Sequence, residues 1–234
     1  MITLNYILEN FEKLSNQNIK NIYLNHGIKN CLGVKISDIK KFVKETKNNF
    51  DLINELINSK IYECMYLAGL CINVDNVDEN FYKSWLLKCT NISSALIISK
   101  VCGESIYAES LSINWINSNE EITKYCGWNT YLNFISITDN SKLDMNEINS
   151  LLKKIQNEIK FEDNMVKYEM NNFLIGTAIY IPDLLENIIK IINEIGEIKV
   201  DFGKTNCKLP NAKKYIEKAI SKNKLGVKKK KCRC

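Results

Sequence analysis

Two stretches of this sequence are apolar around most of a helical circumference. Residues 61–72 and 121–137 carry apolar side chains on more than one face of a 3.6-residue repeat. A helix of this kind must lie between neighbouring layers, because no face of it is suited to water. Paired helical stretches recur at roughly 35–45 residues, which is the spacing of stacked helical repeats. The pattern therefore predicts that helix pairs bury their faces against the next pair along the chain.

Composition agrees with long helices. Only two prolines and nine glycines occur among 234 residues, and the breaks between apolar stretches are short and polar. No strand-like alternation of any length is present. We predict an all-α fold, a HEAT-like α-solenoid of stacked antiparallel helix pairs. Residues 1–222 are expected to form one domain, in which residues 198–210 are an ordered linker into the last helix. The lysine-rich residues 223–234 are too charged to fold and are expected to form a flexible basic tail.

Several classes of protein are disfavoured. The longest apolar runs fall far short of the ~20 residues that span a bilayer, and the N-terminus lacks the features of a signal peptide. His26 is the only histidine, and the cysteines upstream of the tail are scattered singly without CxxC pairs. We therefore expect a cytoplasmic monomer with no metal and no cofactor, in which most cysteines are buried thiols.

The net charge of the chain is modest, and its positive charge comes almost entirely from one residue type. The net charge is +5, and nearly all of the positive charge is lysine because Arg233 is the only arginine. Lysine acts on phosphate as a point charge and lacks the two-pronged grip of arginine.

Two stretches near the C-terminal end carry the most specific motifs. Residues 168–175 read YEMNNFLI, and residues 196–216 read GEIKVDFGKTNCKLPNAKKYI. Weaker motifs are His26-Gly27, the Gly33–Asp38 stretch, and CGWN at residues 126–129. Over most of residues 18–222, the chain resembles the AlkD-like DNA alkylation repair family. The resemblance implies a curved solenoid whose basic concave face holds duplex DNA.

The same resemblance bears on catalysis. Active members excise cationic N-alkylated purines, and a carboxylate stabilises the sugar cation that develops. An aromatic residue accompanies the acid four residues away, on the same helical face. At the matching positions this chain has Ile92 and Leu96. Asn172 stands where another aromatic residue occurs in the family, and Tyr125 stands where some members have an arginine. The resemblance thus implies a branch that lacks the usual catalytic Trp and Asp.

Three functions follow as hypotheses. The first is duplex DNA binding without the standard glycosylase chemistry. The second is an active alkylpurine glycosylase that uses a different carboxylate, with Glu169, Glu104 and Glu63 as weak candidates because each interrupts an apolar helix. The third is a HEAT-like scaffold for protein partners. The predicted DNA-binding residues are Lys35, Lys40, Lys41, Lys44, Lys124, Lys167, Asn171, Asn172, Lys204 and Lys208.

Each of these residues also has a structural interpretation. The lysines fit a solvated surface, and the acids fit salt bridges at helix edges. Asn171 and Asn172 need hydrogen-bond partners if they are buried, so one of them could instead cap a neighbouring helix. Trp128 is expected in the core, and Gly127 is expected to let another backbone approach closely.

Overall fold

Helices form all the regular secondary structure in residues 2–233, the part of the chain that the computed structural model describes. No strand occurs in this range, which confirms the all-α prediction. The helices group into two compact units, residues 2–107 with Arg233 and residues Ala108–Cys232. The division between the two units falls after Tyr107, and a single domain over residues 1–222 stays a prediction.

Side-chain caps define several helix starts in the first unit. Thr3, Asn16, Asn49 and Asn91 each accept a backbone N–H from the first turn of the helix that follows. A cap of this kind stabilises a helix by about 1 kcal/mol. The helices of this unit are α1 (Leu4–Leu14), α2 (Gln17–Asn25), α3 (Ile36–Ile39), α4 (Val43–Thr46), α5 (Phe50–Asn58), α6 (Tyr62–Cys71), α7 (Glu79–Leu86) and α8 (Ile92–Cys102).

Helix α6 lies at the centre of the first unit. It packs against α5 and α8 and also contacts the short helices α3 and α4. Most of its residues are buried, as the apolar pattern around its circumference predicts. A Cβ atom on Gly69 would lie 2.4 Å from Cγ2 of Ile97 on α8, so this glycine lets the two helices approach closely.

The second unit is arranged around two long helices. Helix α10 packs against both α9 and α12, and α12 in turn packs against α13 and α14. The N-terminal turn of α12 is capped from α10, because the Glu121 carboxylate accepts the backbone N–H of Met165 at 3.1 Å. The helices of this unit are α9 (Ala108–Ile116), α10 (Glu121–Ile137), α11 (Met145–Glu158), α12 (Asn164–Tyr180), α13 (Leu185–Ile195) and α14 (Ala212–Ser221).

Aromatic residues join α10 to α12. Trp128, Tyr131 and Phe173 are all fully buried, and the Trp128 and Phe173 rings meet edge to face with centroids 5.1 Å apart. Trp128 therefore lies in the core, as expected. Gly127 allows close packing on α9, because a Cβ atom there would lie 2.5 Å from the backbone nitrogen of Ile116. The close backbone approach predicted at this glycine is confirmed.

The C-terminal segment differs from the flexible arm that its composition predicts. Backbone N–H groups of Gly226 and Lys229 donate to the carbonyls of Ile179 and Ser136 at 2.8 Å. Cys232 is only 6% exposed. The segment packs because its backbone and side-chain donors form hydrogen bonds to helix carbonyls. A prediction from composition does not take such long-range hydrogen bonds into account.

Two further contacts hold the lysines of this segment. The Lys228 ammonium donates to the Ile135 carbonyl at 2.7 Å. Lys228 and Lys229 also lie over the Tyr180 ring, 5.8 and 5.7 Å from its centroid.

Among the helices in residues 2–233, none combines the length and the apolar character that a membrane crossing requires.

Candidate functional site

A buried carboxylate organises the loop that leads to four of the predicted DNA-binding lysines. Glu63 of α6 is fully buried, and it accepts the backbone N–H groups of Leu32, Gly33 and Val34. Gly33 has a φ of +88°, and a Cβ atom there would lie 2.7 Å from the backbone oxygen of Asn16. Glu63, one of the three candidate acids, is thus an internal anchor of this loop.

The lysines beyond this loop are exposed. Lys35, Lys40 and Lys44 face solvent. Lys41 pairs with Asp38 at 2.7 Å, yet 69% of its side chain remains exposed. An exposed ion pair has little net stability, so this lysine can exchange its partner for a phosphate. The segment therefore presents four ammonium groups close together in sequence.

A small cleft of about 80 Å³ lies beside α8 in the first unit. Leu96 forms part of its wall, and Lys100, about one turn further along α8, also lines it. The rings of Tyr62 and Tyr66 lie 6.3 Å apart on the same cleft. None of the described residues that line it is an Asp or a Glu. The lining of this Leu96 cleft consists of Tyr62, Tyr66, Gly69, Leu70, Ser93, Leu96, Ile97, Lys100 and Arg233.

Arg233 lines the Leu96 cleft, but its charge is matched internally. Its Nη2 lies 2.6 Å from a Glu104 carboxylate oxygen, and its Nε donates to the same carboxylate at 2.8 Å. Nη1 donates to the carbonyls of Gly69 and Ile72 at 3.0 and 2.7 Å. Glu104, the second candidate acid, is thus neutralised by the arginine of the C-terminal segment. The net positive charge of the cleft comes from Lys100.

The third candidate acid lies within an amide-rich cluster in the second unit. Glu169 of α12 is 1% exposed. Asn129 of α10 donates to its Oε1 at 2.6 Å, and Asn172 donates to its Oε2 at 3.1 Å. The Tyr125 hydroxyl is a third donor to the same carboxylate. These four residues, Tyr125, Asn129, Glu169 and Asn172, are called the Glu169 cluster below.

Burial dominates the electrostatics of the Glu169 cluster. Removal from water raises the pKa of Glu169 from 4.5 to about 7, and the donated hydrogen bonds only partly oppose this shift. Burial also holds the pKa of Tyr125 well above 10, so that its phenol stays a donor. With 1% exposure, Glu169 is not open to a sugar cation.

Within residues 2–233, no group of three or more His, Cys, Asp or Glu side chains could hold a metal ion.

The linker that follows α13 is attached along α12. The backbone N–H of Asp201 donates to the side-chain oxygen of Asn164 at 3.1 Å. The Phe202 ring packs edge to face on Tyr168, with centroids 5.6 Å apart. These contacts position the linker before α14 begins.

Asn171 takes part in the same attachment. It is buried, and its amide donates to the Pro210 carbonyl at 3.0 Å. One of its amide N–H bonds is therefore directed at the chain itself. Lys204 and Lys208 are exposed on the linker, where their ammonium groups face solvent.

The two remaining lysines of the second unit are less accessible. The Lys124 ammonium lies 2.8 Å from the Glu162 carboxylate, and the two side chains are 17% and 10% exposed. Such a partly buried pair resists exchange with a phosphate, because breaking it would leave Glu162 unpaired. Lys167 is half-buried on α12. The predicted DNA-binding residues are thus not equivalent.

Comparison with known proteins identifies the family. A family model described as DNA alkylation repair enzyme matches residues 7–216. This chain belongs to that family. The match spans both compact units.

Two relatives of similar length come from Listeria. The Listeria innocua protein Lin0241, described as uncharacterized, is 33% identical over 230 residues, which cover 94% of this chain and 98% of that protein. The Listeria monocytogenes protein Lmo0209, also described as uncharacterized, is 31% identical over 235 residues, covering 96% and 100%.

A solved structure is similar along the whole chain. It is described as "A new family of proteins related to the HEAT-like repeat DNA glycosylases with affinity for branched DNA structures". The TM-score is 0.91 at 26% identity, and all of both chains is covered. This similarity confirms the predicted HEAT-like repeat fold. The affinity for branched DNA belongs to that protein.

The structure places the three residues that the resemblance matches to the family's functional positions. Leu96, which the resemblance matches to the family's acid, lines the Leu96 cleft. Asn172 and Tyr125, which it matches to an aromatic residue and an arginine, belong to the Glu169 cluster. These residues therefore lie at two distinct sites, one in each unit.

Sequence reasoning missed several partners. Lys100 follows Leu96 by four residues and so shares its helical face, a signal that helical periodicity could have supplied. The pairing of Asn129 with Glu169 joins residues 40 positions apart. The pairing of Arg233 with Glu104 joins residues 129 positions apart. No local pattern encodes either of these contacts.

Proposed function

We propose that this chain binds DNA, branched DNA included, and does not perform the base excision of its active relatives. The observation that carries the proposal is the Leu96 cleft, where the family's acid position is apolar and Lys100 supplies a cation. Excision of a cationic base leaves positive charge on the sugar, which a carboxylate stabilises and an ammonium group repels. The cleft is suited to an anion.

The remaining candidate acids support the non-catalytic interpretation. Glu63 is bound by three backbone N–H groups, and Glu104 is paired with Arg233. Glu169 is buried beneath two amides and a phenol. A catalytic carboxylate must reach the sugar, and these three are committed to internal partners.

DNA binding is supported by charge and by similarity. Exposed lysines occur on the segment around Lys40 in the first unit and on the linker with Lys204 and Lys208 in the second. The solved structure with affinity for branched DNA matches the whole chain. Each ammonium group that contacts a phosphate releases a counterion, so binding of this kind weakens as salt rises.

A binding titration tests the first part of the proposal. Labelled four-way, three-way and linear duplex DNAs of matched sequence are titrated by fluorescence anisotropy at several salt concentrations. We expect the branched DNAs to bind more tightly than the duplex, with a steep salt dependence. K40E/K44E should weaken binding by about tenfold or more and reduce the salt slope by about one per lost contact.

The matched control is K153E/K160E, which reverses two exposed charges in and after α11. Equal loss of affinity in both double variants would contradict a localised interface. Absence of salt-dependent binding to every DNA would overturn the proposal and favour the protein-scaffold hypothesis.

The excision part has its own test. Methylated duplex DNA and a methylated junction are incubated with protein in excess, and free 3- and 7-methylpurines are measured. We expect release at the level of a no-protein control. Release that is lost in E169Q would instead support the hypothesis of a relocated carboxylate.

A further inference from the structure

Three consecutive lysines near the C-terminus are exposed on a segment of backbone that is held in place. Lys229, Lys230 and Lys231 face solvent and are called the C-terminal ridge below. Within residues 2–233, none of their ammonium groups forms an ion pair with an acid. The acid whose charge acts on the preceding Lys228 is Asp139, and its carboxylate caps the turn that follows α10. Three positive charges therefore project from one short stretch of chain.

Hydrogen bonds on both sides of the ridge fix its backbone. The backbone N–H of Gly226 donates to a carbonyl of α12, and that of Lys229 donates to a carbonyl of α10, both at 2.8 Å. The Lys228 ammonium and the Cys232 thiol donate to two further carbonyls of α10, at 2.7 and 3.5 Å. The ridge is thus attached before, within and after its three lysines.

The C-terminal end of α10 explains why a lysine-rich segment packs there. The last four carbonyls of an α-helix have no partner within the helix, and the helix dipole places partial negative charge on them. Ile135 and Ser136 belong to the last turn of α10, and they accept hydrogen bonds from Lys228 and Lys229. Lys228 is half-buried, so its charge serves this attachment. The three lysines that follow it remain directed at solvent.

Exposed ammonium groups on a fixed backbone are suited to a phosphate backbone. Lysine binds phosphate as a point charge and does not read sequence. A flexible arm must lose conformational freedom when it binds, whereas an attached segment has already lost much of it. The ordered ridge therefore binds at a lower entropic cost than a free tail of the same composition.

We propose that the C-terminal ridge binds the phosphate backbone of DNA, and that its attachment to α10 and α12 preorganises it for this contact. The inference rests on the proposed DNA-binding function and adds a contact site in the second unit to it. Gly226, Lys228 and Cys232 position the ridge, and the three exposed lysines contact the phosphates.

The first experiment removes ridge charges. K230A/K231A is titrated against a labelled four-way junction and a linear duplex by fluorescence anisotropy at several salt concentrations. We expect the affinity for both DNAs to fall by about tenfold at low salt and the salt slope to fall by about two, one for each lost phosphate contact. The losses should be similar for the two DNAs, because phosphate contacts carry no sequence information. K153A/K160A removes two exposed lysines in and after α11 and should keep the wild-type affinity and slope.

The second experiment keeps every charge and removes an attachment. Gly226 has a φ of +73°, which proline cannot adopt, and proline also lacks the N–H that bonds to α12. G226P therefore releases the segment at its start, and we expect the affinity for the junction to fall about threefold or more. G226A retains the N–H and should lose less. Thermal unfolding establishes that each variant is folded, and G226A carries this test against wild type if G226P does not fold.

The outcomes separate the two proposals. If wild type binds DNA with a steep salt dependence and K230A/K231A matches its control, the ridge inference is overturned and the proposed DNA binding stands. If K230A/K231A loses affinity but release of the segment does not, the lysines act from a flexible arm and the preorganised ridge is overturned. Absence of salt-dependent DNA binding by wild-type protein overturns both proposals.

Discussion

The carboxylate of Glu63 and the amide nitrogen of Gly33 lie 2.6 Å apart, at the centre of three hydrogen bonds that join α6 to a loop some thirty residues earlier. An ionised carboxylate accepts such bonds more strongly than a neutral group does. The loop leads directly into the exposed lysines of the first unit. A buried acid thus fixes the backbone from which a basic surface projects.

The first prediction concerns this anchor. E63A leaves three backbone N–H groups without their acceptor, so we expect it to lower the free energy of unfolding by about 2–4 kcal/mol. E63Q retains one acceptor oxygen and should cost less. Urea unfolding followed by circular dichroism measures both. E55A, on the exposed side of α5, should stay within about 0.5 kcal/mol of wild type; an equal loss there would contradict the anchor.

The second prediction compares two buried glycines. A Cβ atom on Gly127 meets the backbone of α9 at 2.5 Å, whereas one on Gly176 meets the Leu132 side chain at 2.4 Å. A side chain can rotate away, but a packed helix backbone must shift as a whole. We expect G127A to destabilise the protein by about 2–4 kcal/mol and G176A by clearly less. Thermal unfolding that ranks them in the opposite order would contradict this account.

The third prediction concerns pH. The Glu169 carboxyl has a pKa of about 7 when folded, against an ordinary value of 4.5. The folded chain therefore holds this proton more tightly, and the stability that it contributes below pH 4.5 is lost as pH rises to 7. The loss attributable to this group is about 3 kcal/mol. We expect E169Q to remove this part of the slope in urea unfolding between pH 5 and 8.

The control for this titration is E186Q, which changes an exposed glutamate of α13. It should keep the wild-type pH dependence. If wild type and E169Q change in parallel with pH, the group responsible for the slope is not Glu169.

The fourth prediction concerns the C-terminal segment. R233M removes the partner of Glu104 and two donors to helix carbonyls, in a site where the side chains are 18% and 12% exposed. We expect a loss of about 2–3 kcal/mol, since the mostly buried Glu104 carboxylate loses its compensating cation. R233M/E104Q should recover part of that loss. K231A, at an exposed lysine two residues earlier, should leave stability unchanged; a K231A effect equal to that of R233M would indicate that the segment acts through its charge alone.

Much of the fold could be predicted from local features of the sequence. The scarcity of proline and glycine, and the apolar pattern around α6 and α10, are sufficient for an all-helical layered protein. The burial of Trp128 and the close approach at Gly127 also follow from residue type and position in a helix. The family motif near Asn172 was recognisable because it is contiguous.

The C-terminal segment shows where a prediction from composition differs from the structure. A run of lysines is expected to stay solvated, yet the backbone N–H of Lys229 in that run donates to the Ser136 carbonyl, and Arg233 pairs with Glu104. Such partners are distant in sequence, so a prediction from local composition does not include them.

By itself, the sequence determined the helices and their layered packing, because periodicity and residue identity are local properties. Only the tertiary structure decided what each charged group does. It placed Glu63, Glu104 and Glu169 against internal donors. A hydrogen bond requires two atoms at a defined distance and angle, and that geometry exists only once the helices have packed.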